Sequence, residues 1–165
     1  MKKVGCSSSL VQVLRGVRIR PTVGFADPFE LLEAPFSPLK ERKPGVRVVA
    51  VEPAGGAVLP GGSAGNHCIP GIGIGFIPDV LNRSIIDEAI PVTDEEAFRC
   101  RRRLAREEGI IAGVSSGAAV HEALTVASRK NAAGKMIVVL LADTGERYIT
   151  TGLFAGKDDS NAAVG

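Results

Sequence analysis

Two adjacent serines, Ser115 and Ser116, follow Gly113-Val114 and precede Gly117-Ala118-Ala119. Their surroundings put them at the N-terminus of a helix, where a hydroxyl has two uses. It can cap free N–H groups, the commoner role, or it can join those groups in pairing with an anionic or heteroaromatic ligand. A second candidate is the run Gly71-Ile72-Gly73-Ile74-Gly75. Alternating glycines let a backbone approach a small ligand closely or move as a lid, and they equally make a tight structural turn. The run lacks G-x-G-x-x-G spacing and follows Asn66-His67-Cys68-Ile69-Pro70 rather than a strand, and no G-x-x-x-x-G-K-[ST] is present. Dinucleotide and P-loop readings therefore fail their structural context.

Other reactive residue types carry less. His67 and Cys68 are neighbours, but a zinc site needs three or four ligands, and His121 stands apart from them. A structural use and no metal is the expectation. Glu146-Arg147, ahead of Tyr148, reads as an ion pair anchoring a turn. Three adjacent arginines could suggest phosphate binding, but successive helix positions point in different directions, and Arg101, Arg102, Arg103 and Arg106 are expected to face solvent.

The elements that must position these residues are legible beyond Lys40. Arg47 to Glu52 is a β-branched run bounded by Pro44-Gly45 and Pro53, as in a strand of a parallel sheet buried on both faces. Residues 53 to 84 hold eight glycines and four prolines among them, too many helix breakers for long elements. Asp87 to Val92 forms a second short strand. Thr93 and Glu96 then have capping-box spacing, and a helix runs to about Glu108, with Ala97, Leu104 and Ala105 as its apolar stripe and Gly109 as its left-handed stop. Ile110 to Ala112 is extended, and the helix carrying the serines continues to about Ser128. Met136 to Ala142 is the clearest strand, and Asp143 to Tyr148 lies just past its carboxyl end, where open α/β sheets bind ligands.

The N-terminal part reads differently. Pro21 to Pro38 contains four prolines and three phenylalanines without sustained period, an irregular arm. Residues 1 to 20 fit either a strand or a short helix. The tail from Lys157 is small and polar, and is expected to fray.

Composition excludes several classes. The chain has 165 residues, 45% hydrophobic and 23% charged, with a net charge of +2. This is the profile of one soluble domain without a nucleic-acid-binding or polybasic membrane surface, and no stretch approaches the ~18 apolar residues of a membrane span. Cys6, Cys68 and Cys100 are odd in number and widely spaced, which fits a reducing cytoplasm. Residues 1 to 26 lack Asp and Glu, as organelle transit peptides do, but a cytoplasmic location is the first expectation.

Six segments together resemble a known family. They are Leu39-Lys-Glu-Arg-Lys-Pro-Gly-Val-Arg-Val-Val-Ala-Val-Glu-Pro53, His67-x-Ile-x-Gly-Ile-Gly-x-Gly-Phe-Ile-Pro78, Glu95-Glu-Ala-Phe98, Arg103-Leu-Ala-Arg-Glu-Glu-Gly-Ile110, Gly113-Val-Ser-Ser-Gly-Ala-Ala119 and Gly145-Glu-Arg-Tyr148. In that order they are similar to the C-terminal part of cysteine synthase (O-acetylserine sulfhydrylase), from about Leu39 to Phe154. The resemblance implies an α/β fold, a parallel sheet flanked by helices, forming an incomplete tryptophan-synthase-β-like domain of fold type II with pyridoxal phosphate (PLP) as cofactor. It divides the chain into an arm, 1–38, without family match, the family-like part, 39–156, and a tail, 157–165.

The resemblance assigns Ser115 to the pyridine nitrogen of PLP and Gly71, Ile72 and Gly73 to the loop lining the substrate side. It implies the β-replacement that converts O-acetylserine and sulfide to cysteine and acetate, a homodimer, and a partner in the C-terminal tail of serine acetyltransferase. That chemistry requires a Schiff-base lysine and a glycine- and threonine-rich phosphate cradle. Where the cradle should stand the sequence reads Glu33-Ala-Pro-Phe-Ser-Pro38, and Lys2, Lys3, Lys40 and Lys43 lie in no matching context. No catalytic residue is assigned. The expectation is a truncated family member, inactive alone, with a non-catalytic module that binds the acetyltransferase tail as the alternative. Pro70 and Ala142 are smaller departures, standing where the family often has glutamine and proline.

Overall fold

The structure is a computed structural model that describes residues 37–79 and 81–146, together with the backbone of 17–21. The expectations for Glu146-Arg147 as a pair, for most of the arm and for the tail fall outside these residues. Among the described residues four strands are present, β1 (Val17–Pro21), β2 (Val49–Pro53), β3 (Glu88–Val92) and β4 (Ile137–Leu141). They form two parallel pairs, β1 with β4 and β2 with β3. The first twenty residues thus contain a strand, and it is Val17–Pro21 that lies beside β4. Parallel pairing needs crossover connections, and the one from β1 to β4 includes both long helices. Between β2 and β3 the glycine- and proline-rich chain makes only short 3-10 turns, Ala54–Gly56 and Arg83–Ile85.

Helix α1 (Asp94–Glu108) begins and ends where its caps dictate. Thr93 and Glu96 form a reciprocal capping box, three acids load the first turn, and Gly109 closes the helix at φ 69°. Acids favour the positive end of the helix dipole, and only glycine reaches that φ without strain. Helix α2 (Val114–Ala127) lies against α1 at Gly117, where an added Cβ would stand 2.7 Å from Arg101 Cβ. The glycine therefore sets how closely the two backbones approach.

Among the described residues two apolar clusters make the core. Cys100, Leu104, Ala112, Val120, Val139 and Leu141 join α1, α2 and β4. Ile69, Val92, Ala97, Val114 and Ala118 join the end of β3, both helices and the glycine-rich segment. β2 alternates between buried and half-buried positions, so it is less enclosed than a central strand.

Arg101 overturns the expectation of a solvated arginine face. It is 1% exposed, and its Nε donates to the Ala112 carbonyl at 3.1 Å. Position 101 is four residues from Ala97 and three from Leu104, so the helix turns it onto the buried stripe. Its stem packs beside Gly117 while its head satisfies a backbone oxygen. Arg106 is exposed, and Arg103 pairs with Glu107 at 2.8 and 3.2 Å. Among the described residues no helix is long and apolar enough to cross a membrane.

Candidate functional site

The two serines lie inside the first turn of α2 rather than capping it. Gly113 is the N-cap residue and provides no side chain, so Ser115 and Ser116 are the second and third helical residues. The cap comes instead from Asp143, immediately beyond β4. One carboxylate oxygen, Oδ1, accepts from Gly113 N–H at 3.1 Å and from the Ser116 hydroxyl at 3.4 Å. A Cβ at Gly113 would run into that carboxylate. Backbone contacts fasten the same corner, with Ala112 and Thr144 bridged antiparallel and Gly145 N–H donating to Ile111 O at 3.0 Å. Ser116 is thus buried and engaged, whereas Ser115 is half-buried, its hydroxyl without a hydrogen-bond partner among the described residues.

The glycine-rich run is a braced loop. Gly71, Gly73 and Gly75 all have positive φ, 83°, 69° and 83°, a region that side chains strain to enter. Gly73 also admits no Cβ, which would stand 2.6 Å from Pro53 and 2.7 Å from His67. His67 holds this turn from within. Its Nδ1 accepts from Ile69 N–H at 3.3 Å, which leaves Nε2–H to donate to Gly73 O at 2.9 Å. The structural use expected of His67 is therefore visible, and Cys68 N–H donates to Asp94 at 2.8 Å. Among the described residues no cluster of three or more such side chains is arranged to hold a metal.

Ile72 packs against the cluster that contains Ile69, Val92 and Val114. The loop and the serine-bearing turn are thereby brought together at the carboxyl ends of β3 and β4, although more than forty residues separate Ile72 from Ser115. Ile74 and Phe76 point away from that cluster and are 45% and 62% exposed.

Asp87 and Glu88 lie elsewhere, with their cationic partners. At the amino end of β3, Asp87 takes Lys40 at 2.8 Å and the Val48 N–H, and these bonds hold its carboxyl below the usual range. Glu88 is gripped by both terminal nitrogens of Arg129 at 2.8 Å, with Arg47 at 3.2 Å, and Arg129 chiefly lowers its pKa. A cavity of about 200 Å³ opens here between Leu59, Arg83 and Glu88, not at Ser115. Lys40 is thus a strand length, ~16 Å, from the serine turn. Lys130 and Lys135 follow the far end of α2, ~20 Å along its axis, and Lys43 is exposed. Among the described residues no lysine stands beside Ser115.

Sequence reasoning located Ser115 and Gly71 to Gly75 but assigned nothing to Asp143 or to the His67 brace. Asp143 had one visible signal, its place directly after the clearest strand.

A family model described as pyridoxal-phosphate dependent enzyme matches residues 34–143. The chain is 49% identical over 117 residues to a probable cysteine synthase of Bacillus subtilis, covering 71% of this chain and 37% of that protein. It is 44% identical over 120 residues to a cysteine synthase of Staphylococcus aureus, covering 73% and 38%. Among solved structures, a cysteine synthase of Entamoeba histolytica superposes with a TM-score of 0.76 at 38% identity, over 87% of this chain and 41% of that one. An O-ureido-L-serine synthase superposes with a TM-score of 0.67 at 44% identity, over 75% and 39%. The chain therefore spans less than half the length of each of these proteins.

Proposed function

The chain belongs to the pyridoxal-phosphate-dependent enzyme family, and from that premise we propose that it is the C-terminal part of a cysteine-synthase-type active site, inactive alone. The whole site would convert O-acetylserine and sulfide to cysteine and acetate. Residues 39–156 form the family-like part in this reading. Ser115 meets the pyridine nitrogen, and Gly71, Ile72 and Gly73 line the substrate side. The observation that carries the reading is the packing of Ile72 into the cluster that also seats Val114, one residue before the uncommitted Ser115 hydroxyl.

The described residues fit one end of the cofactor only. A hydroxyl on the first turn of a helix, flanked by free N–H groups, suits a heteroaromatic nitrogen. The reactive end does not fit, because Lys40 is paired with Asp87 and Lys130 and Lys135 lie beyond the far end of α2. PLP supplies an electron sink when bound, and among the described residues no lysine stands beside Ser115. What these residues do is bind and orient: Asp143 holds the turn that carries Ser115, and His67 holds the loop opposite it.

The test is spectroscopic. The purified chain with PLP is expected to show neither the visible band of a lysine-bound cofactor nor a mass gain after borohydride. Both should appear when the upstream part of a cysteine synthase is added, and less strongly with Ser115→Ala. A band and a mass gain with the chain alone would overturn the claim of inactivity.

A second reading, a module that binds the C-terminal tail of serine acetyltransferase, is favoured by one observation. Ile74 and Phe76 present apolar surface on the loop. A tail peptide binding the chain without PLP, and lost on Phe76→Ser, would support it. The family-type homodimer and a cytoplasmic location belong to the same proposal.

A further inference from the structure

Glu122 sits where an ionised carboxylate is costly. It lies along α2, 5% exposed, and its Oε2 is buried without a hydrogen-bond partner among the described residues. Buried polar atoms are nearly always paired, and a buried charge is costly unless it is paired and hydrogen-bonded. Its neighbour His121 is half-buried, and the imidazole Nε2 stands 3.7 Å from Glu122 Oε1 and 3.6 Å from Glu96 Oε1 on α1. One ring nitrogen thus lies between two carboxylates on two helices, just outside hydrogen-bond reach of both. The other charges around this group already have partners. Glu96 Oε2 accepts the Thr93 N–H and hydroxyl in the capping box, and Arg99 faces the same carboxylate. From β3, Glu88 adds a negative charge, and both terminal nitrogens of Arg129 bond to it at 2.8 Å. Arg129 therefore faces Glu122 as a charge while giving these hydrogen bonds to Glu88. β4 presents no charge to α2, and Glu52 of β2 accepts the Leu59 N–H.

With His121 neutral, Glu96 and Glu122 are two like charges facing one uncharged ring. A single proton taken from solvent corrects this, shared between the imidazole and the Glu122 carboxyl as a coupled group. We propose that Glu96, His121 and Glu122 form a proton-operated clasp between α1 and α2, which draws into hydrogen-bond reach when the three groups take up one proton. Seven residues separate Ser115 from Glu122, about two turns of helix. The clasp thus sets how tightly the serine-bearing helix is held to α1, whether or not the chain takes up PLP. Its pH dependence runs against that of the other carboxylates. Burial, and after it the Glu96 charge, pushes the Glu122 carboxyl above its ordinary 4.5. Above 4.5 the folded chain therefore binds more protons here than the unfolded one. The stabilisation is full below 4.5 and is lost as pH rises through the raised value. Glu88 and Glu96 are held below 4.5 by their partners, so their contribution is lost only in stronger acid.

The experiment is urea unfolding of the full chain between pH 8 and pH 5, for the parent, Glu122→Gln and His121→Gln. Lowering the pH should strengthen the parent, its unfolding constant falling by up to about tenfold per pH unit, the limit for one proton. Glu122→Gln keeps the shape of the side chain and removes its charge, and it should lose most of that gain. His121→Gln should show a smaller gain, displaced to lower pH. Protonation of groups outside the clasp is common to the three proteins and cancels in the comparison. A parent that gains nothing on acidification would overturn the clasp. So would a gain of full size in either variant, since the proton would then be held elsewhere or by a solitary buried acid. Carbon NMR of the parent tests the same point without a variant. The Glu122 carboxyl and the His121 ring should report one common titration step, and two independent steps would also overturn the proposal.

Discussion

Asp143 and Gly113 meet at the corner between β4 and α2, where the carboxylate Oδ1 accepts the Gly113 N–H at 3.1 Å and occupies the space a Cβ would take. A strand end thereby supplies the cap that the helix's own N-cap residue lacks. The negative charge also lies at the positive end of the helix dipole. Because Ser115 is two residues beyond Gly113, whatever fixes this corner fixes where its Cα–Cβ bond points.

Asp143→Ala should cost about 1–2 kcal/mol of stability, the usual worth of an N-cap, and Asp143→Asn less, since an amide oxygen still accepts. Urea unfolding of the three proteins measures this. Equal loss in both variants would mean that charge, not the hydrogen bond, holds the corner.

Gly117→Ala should destabilise by about 1–3 kcal/mol, the cost of overpacking. The new methyl would meet the Ala97 carbonyl and the Arg101 backbone, neither of which can yield without separating α1 from α2. A melting temperature unchanged from the parent would show that the helices can part freely.

The Glu88–Arg129 pair should make stability depend on acid pH. Arg129 lowers the Glu88 pKa from its ordinary 4.5 in the folded chain. The stabilisation is therefore fully present above that value and is lost as pH falls through the lowered one. Glu88→Gln should be less stable than the parent at pH 7, with the gap closing in acid. A gap of constant size across the titration would place the effect in packing instead.

Thiol reactivity should separate two cysteines. Cys68 is exposed, whereas burial pushes the Cys100 thiol up to about 11. At pH 8 the native chain should alkylate at Cys68 and leave Cys100 unmodified until urea is added, as peptide mass mapping would show. Thiolate is the reactive form, so early labelling of Cys100 would indicate that the α1–α2 interface opens.

How much of this was legible in the sequence varies with the range of the force involved. The ends of α1 were readable because Thr93, Glu96 and Gly109 act on backbone groups three or four residues away. β4 was readable because seven consecutive apolar residues, Met136 to Ala142, leave little else. Ser115 and the loop at Gly71 were found through local spacing and family resemblance. Arg101 was misread, since an arginine's charge says nothing about the stem that can lie along a neighbouring helix.

The amino-acid order by itself determined β2, β3, β4 and the two long helices, where α1 is capped, and which small residues carry the candidate site, while β1 stayed open between strand and helix. These are effects of nearest neighbours along the chain. Only the tertiary structure decided that Asp143 caps α2, that Ile72 and Val114 share one packed cluster, and that Val138 of β4 is exposed while Val139 is buried. Each of those depends on residues that are brought together when apolar surface leaves water, and that contact is set by the packing of whole elements rather than by spacing along the backbone.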